Sequence, residues 1–174
     1  MQVSLQGGIR VVVIDSRAGG AKAGADVVFE RLDRRAERGR LRADAVAEMK
    51  SNLTVAQELY DLSPCHAMPC HAVIEAVFAD LEVKHGLYTE LETKVTENGI
   101  IALNTASLPI SSLGPPCKYQ NRFAGMHFFN PVPLMRLVKV IRGTSTEDWE
   151  IEAWSSWESE WAERPSWFAT IRVS

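Results

Sequence analysis

Apolar positions along the chain fall into short unbroken runs that alternate with longer segments of helical period. Ile9 to Ile14 (IRVVVI) is continuous and β-branched, the pattern of a strand buried on both faces of a parallel sheet. Ala21 to Arg38 has helical spacing, with Val27, Val28, Leu32 and Ala36 as its apolar stripe and Arg31, Arg34, Arg35 and Arg38 on the polar side. Gly39 stops it, and Ala43 to Lys50 predicts a second helix. Ala72 to Phe78 (AVIEAVF) is the next buried strand. Leu81 to Val95 predicts a helix with Leu81, Leu87, Leu91 and Val95 apolar, stopped at Asn98-Gly99. Ile100 to Leu103 predicts a strand, Pro109 opens a short helix, and Phe123 to Met126 and Leu137 to Ile141 predict two further strands. Strands alternating with helices define an α/β fold with right-handed crossovers.

Composition changes this picture mainly at the C-terminal end. Of the 174 residues, 46% are apolar and 24% charged, proportions of a globular chain that length alone sizes at about one domain. A net charge of −3 argues against nucleic acid as the main partner. No apolar run approaches the ~20 residues of a membrane helix, and the start, Met1-Gln2-Val3-Ser4-Leu5, lacks the layout of a signal peptide. Three cysteines, an odd number, do not read as a disulfide framework, so a reducing compartment, the cytoplasm, is expected. Residues 1–50 hold ten Lys/Arg against seven Asp/Glu, a net +3, whereas residues 144–174 hold two against seven, a net −5. All five tryptophans fall in that last stretch. The shift predicts a boundary near Gly143, with residues 1–143 as one domain and 144–174 as a Trp-rich acidic tail. Trp154, Trp157 and Trp161 are spaced for an amphipathic helix, and a frameshifted reading would account for the segment as well.

Three places carry candidate chemistry. Asp15 closes the first apolar run. An acid at the end of a second Rossmann strand accepts bonds from the adenine ribose of NAD, and the plain alternative is a helix-capping aspartate. His127 ends the Phe123–Met126 run ahead of Phe128-Phe129-Asn130-Pro131, which sets an imidazole at the carboxyl end of a strand, where open α/β sheets hold their ligands. The plain alternative is a buried, hydrogen-bonded histidine at a corner. Pro64-Cys65-His66-Ala67 and Pro69-Cys70-His71-Ala72 repeat one tetrapeptide. Adjacent Cys-His pairs lack the usual spacing of metal ligands, so duplication explains them better than zinc, and no metal is expected.

The segments GIRVVVID, GRLRADAV, VIEAVFADLEVK, NTASL and RFAGMHFFNPVPLMRLVKVIRG resemble the NAD-binding domain of L-3-hydroxyacyl-CoA dehydrogenases over about residues 3 to 148. The resemblance implies a Rossmann-like, doubly wound parallel sheet, NAD as cofactor and an acyl-CoA substrate. His127 would be the general base, taking the 3-hydroxyl proton while hydride passes to the nicotinamide. Asp15 would hold the adenine ribose, Ala76, Lys84 and Asn104 would lie along the cofactor, and Asn130 would face its reacting end.

Departures from the family pattern point to an impaired or inactive site, the alternative being a non-catalytic remnant or binding module. The first strand and its G-x-G-x-x-G turn, which lets the backbone approach the pyrophosphate, are not found before residue 3, and Met1 to Gly8 looks like the tail of the helix that follows that turn. The acid expected twelve residues after the histidine is Lys139, a cation where a base needs a carboxylate; that loss alone costs on the order of 10²–10⁴ in rate. The first serine of N-T-S-S is Ala106, for which Ser107 is a poor stand-in because neighbouring strand-end residues point opposite ways, and the glutamate of A-V-F-E-D is Ala79. In a sheet of order 3-2-1-4-5-6 the first strand is central. Its loss predicts that IRVVVI and AVIEAVF close up and pair directly beside a shallow cofactor cleft, the other outcomes being a homo-oligomer or partner chain filling the slot, or a marginal fold.

Overall fold

A computed structural model describes residues 1–59, 70–76, 81–104, 117–129, 131–132 and 138–149, and residues 167–172 as backbone; the side chains of 70, 71, 81, 97, 98 and 138 are likewise outside the description. Strands β1 (Arg10–Asp15), β2 (Leu53–Val55), β3 (Cys70–Glu75), β4 (Val95–Leu103), β5 (Phe123–Phe128), β6 (Val138–Arg142) and β7 (Trp167–Arg172) form one sheet in the order β2-β1-β7-β3-β4-β5-β6. Every pairing is parallel except β5 with β6. The α/β expectation is met.

Helices cover both faces, as the unbroken apolar runs require. On one face α1 (Gln2–Gln6), α2 (Gly20–Glu37) and α3 (Ala43–Ser51) bring Leu5, Val28, Leu32 and Val46 against Val11, Ala72, Ile74, Ala102, Ala124 and Met126. On the other, α4 (Leu81–Leu91) lays Tyr88 and Leu91 on Ile14, Val73, Ile101, Leu103 and Phe123. Leu32, Leu91 and Leu103 are each fully buried, worth about 1.5–3 kcal/mol apiece relative to exposure. The helical reading of the first residues holds in α1.

The expected direct pairing of the first two apolar strands is corrected. β7 lies between them: Val12 pairs with Ala169 on one side, and Val73 pairs with the same Ala169 on the other. Reading the sheet as 3-2-1-4-5-6, β7 occupies the position of strand 1. The physical reason is the cost of orphaned ladder groups, about 1–3 kcal/mol for each buried N–H or C=O left unpaired. WFATIR, rich in aromatic and β-branched residues, suits a strand paired on both edges. Residues 144–149 also join the fold. The hydroxyl Oγ1 of Thr146 donates to the Phe123 carbonyl at 2.6 Å and accepts from the Gly143 amide at 2.8 Å, and Trp149 packs against the α1–α3 side of the core.

Smaller differences arise at element ends. α4 stops at Leu91 instead of Val95, and β4 starts at Val95. The Asn98-Gly99 pair sits inside β4, where the register jumps from Cys70 opposite Val95 to Ala72 opposite Ile100, so the expected helix stop is a bulge. The three-residue β2 gave no periodic signal. The Trp154–Trp161 helix, the helix from Pro109 and Pro64 to Pro69 lie outside the described residues.

Candidate functional site

Register fixes the heights of the site residues. Ile14, Ile171, Glu75, Leu103 and Gly125 form one row across β1, β7, β3, β4 and β5. Asp15 and Ala76 stand one residue above that row, Asn104 one above Leu103, and His127 two above Gly125. All four therefore gather at the carboxyl edge of the parallel strands, where α/β folds bind ligands. Four strand spacings separate Asp15 from His127, roughly 19 Å at the usual distance between strands.

At the β1 end, the Asp15 side chain is 4% exposed and beneath that of Arg17, which is 56% exposed. The Arg17 main-chain N–H donates to Oδ1 of Asp15 at 2.9 Å, Nε to the same oxygen at 3.4 Å, and Nη2 to Oδ2 at 3.2 Å. This hydrogen bonding raises the Arg17 guanidinium above its ordinary pKa. Gly20 opens α2 directly below the carboxylate: a Cβ there would come within 2.6 Å of Cγ of Asp15. Glycine is thus required for the acid to occupy this cradle. The group this arrangement presents to a dinucleotide's adenosine end is the Arg17 guanidinium, with the Asp15 carboxylate behind it. The described residues hold no G-x-G-x-x-G sequence, so none of them is assigned to the pyrophosphate.

Beneath the edge, on the α4 side, lies a buried polar cluster. Glu75 is 1% exposed and accepts the Tyr88 hydroxyl at 2.6 Å and the Lys84 ammonium at 3.3 Å on both oxygens. Burial, reinforced by the Glu75 charge, pushes the Tyr88 phenol far above its usual pKa. Lys84 was expected along the cofactor; its ammonium instead points at Glu75, with 5% of the side chain exposed. Glu75 and Tyr88 were not singled out from sequence, although an acid inside the apolar run AVIEAVF was a signal, since a buried charge needs a partner.

At the β5 end, His127 is half-buried and its ring meets that of Phe129 edge-on at 5.1 Å between centroids. Its cross-strand partner in the antiparallel β5–β6 ladder is Lys139, which is exposed. Directly opposite residues share a face of the sheet, with Cβ atoms about 4.5–5.5 Å apart. The residue directly opposite the histidine is thus a lysine, not an acid, as expected. Asn104 is exposed, and its main-chain N–H donates to the Glu75 carbonyl at 2.7 Å. Asn130, Ala106, Ser107 and Ala79 lie outside the described residues. Among the described residues no group of His, Cys, Asp and Glu is arranged to hold a metal ion, and no helix is long and apolar enough to cross a membrane.

Comparison with known proteins gives concordant findings. A family model described as 3-hydroxyacyl-CoA dehydrogenase, NAD binding domain, matches residues 1–164. A probable 3-hydroxybutyryl-CoA dehydrogenase of Deinococcus radiodurans is 37% identical over 84% of this chain and 51% of its own length. The 3-hydroxybutyryl-CoA dehydrogenase of Bradyrhizobium diazoefficiens is 34% identical over 87% of this chain and 50% of its own. Among solved structures, (S)-3-hydroxybutyryl-CoA dehydrogenase from Ralstonia eutropha superposes with a TM-score of 0.81 at 30% identity, covering 99% of this chain and 58% of that one. The chain spans about half the length of the curated 3-hydroxybutyryl-CoA dehydrogenases it matches.

Proposed function

The chain belongs to the 3-hydroxyacyl-CoA dehydrogenase family through its NAD-binding domain, and from that premise we propose that its chemistry is the oxidation of an (S)-3-hydroxyacyl-CoA to the 3-ketoacyl-CoA, strongly attenuated in this sequence. The observation that carries the reading is His127 at the carboxyl end of β5 with Lys139 opposite it. Asp15 would hold the adenosine end of NAD, and Ala76 and Asn104 line the edge between that end and the histidine. NAD, when bound, supplies the acceptor for the hydride leaving C3 of the substrate. His127 takes the proton of the 3-hydroxyl onto a ring nitrogen as the carbonyl forms, and becomes an imidazolium. A carboxylate in the cross-strand position would favour that cation; Lys139 opposes it.

A second reading, a non-catalytic member of the same family, is favoured by Lys139 standing opposite His127 in the β5–β6 ladder, where an acid would support a base. The two separate on NADH formation from 3-hydroxybutyryl-CoA at saturating NAD. For attenuated chemistry, Lys139→Glu raises the rate by about 10²–10⁴, and adding His127→Ala removes the gain. No gain in Lys139→Glu would favour the non-catalytic reading and remove the role assigned to the pair.

A further inference from the structure

The geometry points to Arg17 as a specificity-determining residue that lets the adenosine end of this cofactor site accept a 2′-phosphate as well as a free 2′-hydroxyl. The inference rests on the NAD-binding reading and goes beyond it. At the end of the second strand of such sheets, an acid selects the ribose hydroxyl and turns away a 2′-phosphate, whereas a nearby arginine accommodates it. Here the two stand two residues apart and are bonded to one another.

Their exposure decides which of them an incoming ribose meets first. The Asp15 side chain is 4% exposed and that of Arg17 is 56% exposed, so the solvent-facing group at this position is the guanidinium. The Asp15 charge that would repel a phosphate is offset by Arg17 at 3.2 Å, and both carboxylate oxygens already accept bonds from Arg17. Arg17 commits Nε and Nη2 to Asp15, which leaves the two N–H groups of Nη1 for a further acceptor. A guanidinium is suited to two-pronged binding of phosphate oxygens, and a carboxylate at its back holds the planar fork in place. The Gly20 cradle keeps that carboxylate seated beneath the arginine, so the pair acts as one unit.

The test uses two small probes that differ only in the 2′-phosphate, adenosine 5′-monophosphate and adenosine 2′,5′-bisphosphate, titrated calorimetrically into the full chain. The wild type is expected to bind the bisphosphate at least as tightly as the monophosphate. Arg17→Ala should weaken the bisphosphate by about tenfold while changing the monophosphate by less than about threefold. Arg17→Lys, which keeps the charge and loses the fork, should fall between. Loss of folded protein would lower both affinities together and leave their ratio unchanged, so the ratio isolates the recognition. A wild type that prefers the monophosphate by about tenfold or more, a ratio unmoved by Arg17→Ala, or binding of neither probe would each overturn the inference. Failure of the dehydrogenase reading would appear separately, in NADH formation, which the ratio does not involve.

Discussion

Single side chains carry most of what is unusual in this chain. Buried ionisable groups are tolerated only when paired, and Glu75 meets that requirement with Lys84 and Tyr88. Glu75→Ala, which leaves the Lys84 ammonium buried without its carboxylate, is expected to destabilise the fold by about 3–5 kcal/mol in denaturant titration. Tyr88→Phe removes one bond to a charged group and should cost about 1.5–3 kcal/mol. Equal stability of Glu75→Ala and wild type would show that the cluster adds nothing. Cys117 offers a pH test. Burial, helped by the Glu92 charge, pushes its thiol up to about 12 from an ordinary value of 9.0. The folded state therefore favours the protonated thiol. The associated stability is complete below pH 9 and is lost as pH rises from there through 12. The stability advantage of wild type over Cys117→Ala should shrink between pH 8 and 10.5, and an advantage that grew with pH would contradict the assignment.

Elements differ in how far the sequence foretold them. β1, α2, α3 and β5 were legible because their apolar runs and stripes are long and bounded by Gly39, by Asp15 or by the Asn130-Pro131 pair. The α4–β4 boundary was misread because Asn98-Gly99 is the usual mark of a helix end, whereas tertiary pairing of Val95 with Cys70 extends the strand backwards through it. β7 was not foretold, since nothing local in WFATIR says which slot it fills: only the ladder vacancy between β1 and β3 does so. Placement at the centre of the sheet makes β7 testable. Ala169 pairs with Val12 and with Val73, so Ala169→Pro removes a ladder donor and should destabilise the chain by on the order of 3 kcal/mol. Hydrogen exchange at the Val12 and Ile74 amides, which face β7, should quicken together in that variant. Protection unchanged at both would mean that β7 does not hold the slot.

Over the whole molecule, the strand order places Asp15 and His127 at opposite ends of one carboxyl edge, the two ends of the proposed dinucleotide-and-substrate site. Of the residues singled out from sequence, Asp15, Asn104 and His127 lie at that edge, and Lys139 is the cross-strand partner of the histidine. What sequence could not supply was depth. Lys84 turns inward to Glu75, and Arg17 roofs Asp15, because both outcomes depend on partners brought by packing and not by spacing. The family's fold is thus retained, with a lysine opposite the histidine proposed as its base, and the consequence proposed for that pairing is the claim most open to direct trial. The decisive measurement is steady-state NADH formation by the purified wild-type chain from (S)-3-hydroxybutyryl-CoA and NAD, beside His127→Ala. A wild-type rate far below the usual enzymatic kcat of about 10 s⁻¹, and within about tenfold of His127→Ala, is predicted. A wild-type rate in the ordinary range that His127→Ala abolishes would contradict it.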